Sequence, residues 1–168
     1  MIVSMSMTAF AAEAPKGTLT VNNTVAGKTL DLYQIFTATK SGDNVAYTLN
    51  SAYEGFFKTK VDNGSSLSGE ALSEAAYNYV NAQVGTDGSN GAEFAKAILG
   101  WILENNATVD ATHTTATTTD GTTVINNLAY GYYVVYPLGA TDTSAAPGTG
   151  QDYTSVASLV SVTDTNAT

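Results

Sequence analysis

Hydrophobic and polar residues alternate over much of the chain, which is the pattern of β-strands with one buried face. In residues 28–39, Leu30, Leu32 and Phe36 fall on one face, and Gln34 lies among them. A buried amide needs a hydrogen-bond partner, so we expect Gln34 to be a satisfied core amide or to mark a slightly bulged register. Alternation and turn residues predict strands at 17–22, 28–39, 45–49, 107–119, 122–128, 131–137 and 153–162.

One turn signal predicts which strands pair. Asp120 and Gly121 separate the Thr-rich segment 107–119 from the segment 122–128. Asp-Gly is favoured in the tight turns of β-hairpins, because both central residues of such turns have positive φ. We therefore expect 122–128 to return alongside 107–119.

The middle of the chain changes to helical spacing. Residues 68–84 place Leu72 and Val80 on one face, and residues 91–104 are apolar on most sides, so the second helix must pack against a sheet. Strands, two helices and further strands predict a mainly β (α+β) class. The expected fold is a β-sandwich with a two-helix insertion at about residues 68–105.

Composition and charge exclude several classes of function. The 168 residues include 6 Lys and Arg together, 15 Asp and Glu, no Cys and one His, giving a net charge of −9. A nucleic-acid ligand requires a basic surface, and thiolate zinc sites require cysteine. A length of 168 residues fits a single domain. We expect no nucleic acid, no cofactor and no membrane span.

The first residues indicate the compartment. Residues 1–14 are apolar and end in small side chains, with Ala9-Phe10-Ala11 matching the A-x-A rule for signal-peptide cleavage. We interpret this segment as a signal-peptide remnant or a disordered start, and residues 15–168 as the domain. The expected location is extracellular.

Candidate catalytic and metal-binding residues are few. Glu70 and Glu74 lie on one helix face and are expected to be solvated, although paired acids also occur in glycosidases. The oxygen-rich segment 87–93 lacks the register of a calcium loop, which favours helix capping. His113 lies in the Thr-rich strand and is expected at the surface. We predict no catalytic residues and no metal ligands.

Three segments carry a resemblance to a known family. They are GKTLDLYQIFTAT at 27–39, AEFAKAILGWILENN at 92–106 and NLAYGYYVVYP at 127–137. Together, over about residues 17–164, they resemble the N-terminal domain of the sortase-assembled backbone pilins of Gram-positive bacteria. The resemblance implies Ig-like domains and a structural role in a covalently polymerised pilus on the cell wall.

The resemblance also implies partners and covalent bonds. Sortase joins a lysine of one such subunit to the C-terminal sorting signal of the next, so neighbouring pilin subunits and sortase are the expected partners. Neither a sorting signal nor the pilin-motif lysine is present by sequence, and Tyr136-Pro137 is followed by Leu138. We expect both motifs beyond Thr168.

An internal Lys–Asn isopeptide bond, assisted by a buried acid, is common in these domains. Gln34 occupies the position that we align with the isopeptide lysine. Glutamine has no amine nucleophile, so we predict no isopeptide bond at Gln34, and Lys28 is the fallback donor. An intact mass equal to the mass of the sequence, without the loss of ammonia, would agree with this.

Two other functions remain open at this point. An adhesin or tip module of the same architecture would bind a host-surface ligand through Tyr-rich loops, and exposed aromatic patches near residues 140–153 would favour it. A secreted hydrolase would require two carboxylates across a cleft.

Overall fold

The computed structural model describes residues 16–84, 91–138 and 158–163, with strands in 44% and helices in 39% of them. All strand pairs within these ranges are antiparallel, and the fold is mainly β. The strands are β1 Lys16–Thr24, β2 Thr29–Ser41, β3 Asn44–Leu49, β4 His113–Thr117, β5 Gly121–Ala129, β6 Gly131–Leu138 and β7 Ser158–Val162. The helices are α1 Glu54–Lys58, α2 Gly69–Val84, α3 Gly91–Glu104 and α4 Asn106–Val109.

Strand β2 is the centre of the larger sheet. The strand order of this sheet is β3-β2-β6-β7. Strand β4 also belongs to it and pairs with the part of β2 that β3 does not contact. Strands β1 and β5 form a separate two-stranded sheet. Strand β2 therefore has partners on both sides along most of its length.

Two apolar clusters lie on opposite faces of the large sheet. On one face, Ile35, Phe36 and Val134 pack against Phe57 of α1 and Ile98 of α3. On the other face, side chains of β2, β6 and β7 pack against the β1–β5 sheet, among them Leu30, Leu32, Val135, Val162, Leu19 and Ile125. The described residues thus form three layers, with helices, the large sheet and the small sheet in that order.

The expected alternation in β2 is wrong after Gln34. The register with β6 shifts between Gln34 and Phe36, so Ile35 is an extra residue in β2. Phe36 therefore packs on the helical face with Ile35, and not with Leu30 and Leu32. A bulge places two successive residues on one side of a strand, which the period-2 pattern cannot anticipate.

The expected hairpin at Asp120-Gly121 is also wrong. Strand β4 pairs with β2, and β5 pairs with β1, so the chain crosses between sheets at residues 118–120. Buried Thr118 fixes this crossing, because its Oγ1 accepts from the backbone N of Lys28 at 2.9 Å and its own N donates to the Lys28 carbonyl at 2.8 Å. The Asp-Gly signal marks the turn but not the partner.

The two predicted helices are confirmed as α2 and α3, and the helical region is larger than expected. Short helices precede α2, and residues 107–112 are helical although the Thr-rich composition favours a strand. Val109 is fully buried there, and Thr112 Oγ1 donates to the Val109 carbonyl at 2.7 Å. Burial of this apolar side chain outweighs the β-propensity of the neighbouring threonines.

Burial raises the pKa of three core tyrosines. Burial raises the pKa of Tyr132 to about 12, with a further contribution from Tyr47 and Tyr77. Burial also raises the pKa of Tyr133 to about 12, and it outweighs a hydrogen bond with Gln34 that acts in the opposite direction. The pKa of Tyr53 is raised for the same reason, although its hydroxyl lies 2.6 Å from Thr112 Oγ1.

These tyrosines predict a loss of stability in alkaline solution. Their native pKa exceeds the unfolded value, so the stabilisation is complete below about pH 10 and is lost as pH rises towards about 12. Each contributes a decrease of at most about 1.4 kcal/mol per pH unit in that window. Phenolate absorbance and circular dichroism measured together should show these phenols ionising only as the chain unfolds. Full phenolate absorbance with native circular dichroism would contradict this.

Candidate functional site

Gln34 lies at the bulge in β2, opposite Tyr133 of β6. Its side chain is half-buried, and Nε2 donates to the Tyr130 carbonyl at 3.2 Å. The same carbonyl accepts from the backbone N of Ala38 at 3.0 Å. Gly131 approaches so closely that a Cβ there would lie 2.9 Å from Gln34 Nε2. The amide therefore has a hydrogen-bond partner within the sheet, and it also stands at a register shift, so both features expected of Gln34 are present.

Lys28 lies at the start of β2 and its side chain is exposed. Its backbone N and carbonyl are both bound to Thr118, which fixes the chain at this point. Neither the absence of an isopeptide bond at Gln34 nor the role of Lys28 as a donor is tested by this geometry. Both stay predictions for the intact-mass measurement.

His113 is more than a surface residue. Its ring stacks on Tyr33, with centroids 4.6 Å apart and planes 9° from parallel, and its Nε2 lies 2.5 Å from Asp31 Oδ1. Asp31 is only 8% exposed. The side chain of His113 is 27% exposed, so it lies partly at the surface, and from the start of β4 it supplies the partner that the carboxylate buried in β2 needs.

This cluster ties β4 to β2 and changes the ionisation of a phenol. Burial raises the pKa of Tyr33, and the nearby Asp31 and Tyr136 raise it further. The sequence contained a signal for this contact. Asp31 stands on the same strand face as Tyr33 and Ile35, where a carboxylate requires a hydrogen-bond donor.

The acidic candidates do not converge. Glu70 and Glu74 are both exposed on α2. Positions 87–90 of the oxygen-rich segment and the loop at 140–153 lie outside the described residues, as does the segment 1–14. Across residues 16–84, 91–138 and 158–163, no three His, Cys, Asp or Glu side chains group as a metal site.

A surface groove lies between α1 and α3. We call it the α1–α3 groove, and its volume is about 580 Å³. Trp101 is half-buried along its wall, while Ala97 and Gly100 leave its floor without bulky side chains. Its lining comprises Phe56, Thr59, Lys60, Glu93, Lys96, Ala97, Gly100, Trp101 and Glu104.

The groove combines aromatic surface with charges of both signs. Lys60 Nζ lies 5.5 Å from the centre of the Phe56 ring, a distance that allows a cation–π contact. Two lysines and two glutamates line it in total. Sequence reasoning missed this site, because the helical stripe that makes Trp101 a core residue gives no sign of a groove beside it.

The comparisons with known proteins add no assignment. No protein-family model matches the chain, and no curated protein matches it. Within the described part of the chain, no helix has both the length and the hydropathy that spanning a membrane requires.

Proposed function

We propose that this chain is a structural domain of a backbone pilin, the shaft subunit of a covalently polymerised pilus on the surface of a Gram-positive bacterium. The proposal includes an Ig-like sandwich with a two-helix insertion at about residues 68–105. It also includes an extracellular location, neighbouring pilin subunits and sortase as partners, and no enzymatic activity of its own.

The observation that carries the proposal is the way in which the three family motifs meet. The motif strands at 27–39 and 127–137 are neighbours in the sheet, with Gln34 opposite Tyr133. The motif helix at 92–106 packs on the same two strands, because Ile98 joins the apolar cluster of Phe36 and Val134. Segments far apart in sequence thus form one continuous core, which supports a common origin for the three motifs.

The physical character of the core also supports a structural role. The central strand is buried on both faces over its first part and is paired on both sides along most of its length. The chain has no cysteine, and hence no disulfide stabilises it. Packing on both faces of β2 supplies cohesion instead.

The test is the covalent state of the full-length protein in its native bacterium. Antibodies against residues 16–163 should detect a ladder of high-mass species in cell-wall extracts boiled in detergent. Deletion of the sortase gene should collapse this ladder to the monomer. A Lys28→Arg variant is the control, because the polymerising lysine is expected elsewhere and the ladder should persist.

The proposal fails if wild-type extracts contain the monomer alone. It also fails if the ladder survives loss of every sortase, since the subunits would then be joined by different chemistry. Tandem mass spectrometry of the ladder should identify a lysine joined to the C-terminal residue of a sorting signal.

A further inference from the structure

Gly100, on the floor of the α1–α3 groove, is not explained by packing. It lies inside α3, where glycine costs about 0.5–1 kcal/mol relative to alanine. A Cβ built at Gly100 would meet no atom within 4 Å. The fold therefore does not require a glycine here, but a side chain at this position would project into the groove.

Trp101, by contrast, is held firmly in the groove wall. Its ring lies 6.1 Å from that of Tyr53 and 6.0 Å from that of Phe56, measured between centroids. Gly55 allows the indole to approach α1, because a Cβ there would lie only 3.3 Å from Trp101 Cζ2. An aromatic face fixed before binding loses little entropy when a ligand packs on it.

The charged groups at the groove favour a neutral ligand. Lys60 and Lys96 can donate hydrogen bonds, and the carboxylates of Glu93 and Glu104 can accept them. Their charges balance locally, and the whole chain carries −9, which opposes an anionic ligand. Hydroxyl groups both donate and accept, so a polyhydroxylated molecule can use both kinds of side chain.

We propose that the α1–α3 groove binds a neutral oligosaccharide. The apolar C–H face of one sugar ring packs on Trp101, and hydroxyls of the bound glycan bond to the lysines and glutamates. From Glu93 to Glu104 the helix extends roughly 16 Å, which gives room for more than one ring. The volume of about 580 Å³ also lies within the range of ligand sites.

Trp101 itself provides the readout, because it is the one tryptophan in the sequence. The whole chain is titrated with cellotriose, maltotriose, chitotriose and lactose, with excitation selective for tryptophan. At least one of these glycans should produce a saturable change in emission. Inorganic phosphate and an acidic peptide are titrated in parallel and should produce none.

A variant that fills the groove tests the location. Gly100→Gln should weaken binding at least about tenfold, equivalent to about 1.4 kcal/mol, because its side chain occupies the floor. Ala71→Gln is the matched control, since it adds the same side chain at an exposed position of α2 and should leave affinity unchanged. Lys60→Gln provides a second variant that retains the volume but removes a charge.

Three results would overturn the proposal. The first is that none of the four glycans changes the tryptophan emission in a saturable way. The second is that the wild type and Gly100→Gln bind with equal affinity. The third is that the emission responds only to the phosphate or to the peptide. Thermal melting of each variant in the absence of glycan separates lost binding from lost folding. None of these results depends on whether the chain polymerises.

Discussion

Replacing Phe57 with alanine is expected to lower the free energy of unfolding by about 3–5 kcal/mol. Phe57 is fully buried where α1 meets the large sheet and α3. Its ring centroid lies 5.7 Å from that of Phe36 and 6.3 Å from that of Phe94, so it joins a strand to a helix. The cavity would therefore separate two layers, and urea denaturation measures the loss.

Leu103→Ala is the control for this substitution. Leu103 is also a large apolar side chain on a helix, but it is 49% exposed. Its removal should change stability by about 0.5 kcal/mol or less. Equal losses for the two variants would contradict the packing of the helical layer described above.

Replacing Gly131 with alanine is expected to destabilise the protein by about 1–3 kcal/mol, through overpacking. A Cβ at Gly131 would lie 2.4 Å from the Phe36 carbonyl oxygen and 3.0 Å from Gln34 Cγ. The backbone of β2 or β6 must move to admit it, at the point where the bulge already shifts the register. Thermal or urea unfolding checks the change.

Gly100→Ala should change the stability in the opposite direction to Gly131→Ala. No atom lies within 4 Å of its added methyl group, and alanine restricts the unfolded chain. A gain of about 0.4–1 kcal/mol is expected.

If Gly131→Ala were as stable as the wild type, the close approach of β6 to Gln34 would be wrong.

Local elements could be predicted from the sequence because their signals are local. The 3.6-residue spacing of Leu72, Ala76 and Val80 is sufficient to define the face of α2, and all three are buried. Alternation likewise located β1, β2 and β6. These patterns depend on which side of one element is apolar, and that needs no knowledge of its partner.

Pairing and register could not be predicted in the same way. Gly121 has the positive φ that the Asp-Gly signal predicts, but this local conformation does not specify whether β4 or β1 pairs with β5. Gln34 on an apolar face indicated a bulged register as one alternative, but the position of the extra residue, Ile35, depends on the fit between Gly131 and Phe36 across two strands. Such choices are set by packing between distant segments.

The candidate site was predicted least well. His113 gained a role only when β4 was placed beside β2, which brought it to Asp31. The α1–α3 groove depends on how α1, a helix that the pattern missed, lies against α3. A binding site formed between elements follows from their arrangement, whereas the sequence reports each element separately.

The pairing of β1 with β5 has a consequence for biosynthesis. The partner of β1 lies about a hundred residues later in the chain, so at about 5–20 residues per second it is made roughly 5–20 s afterwards. Leu19, which is only 2% exposed in the folded chain, cannot pack against Ile125 of β5 during that time. The nascent chain must stay soluble with its first strand unpaired until β5 has been synthesised.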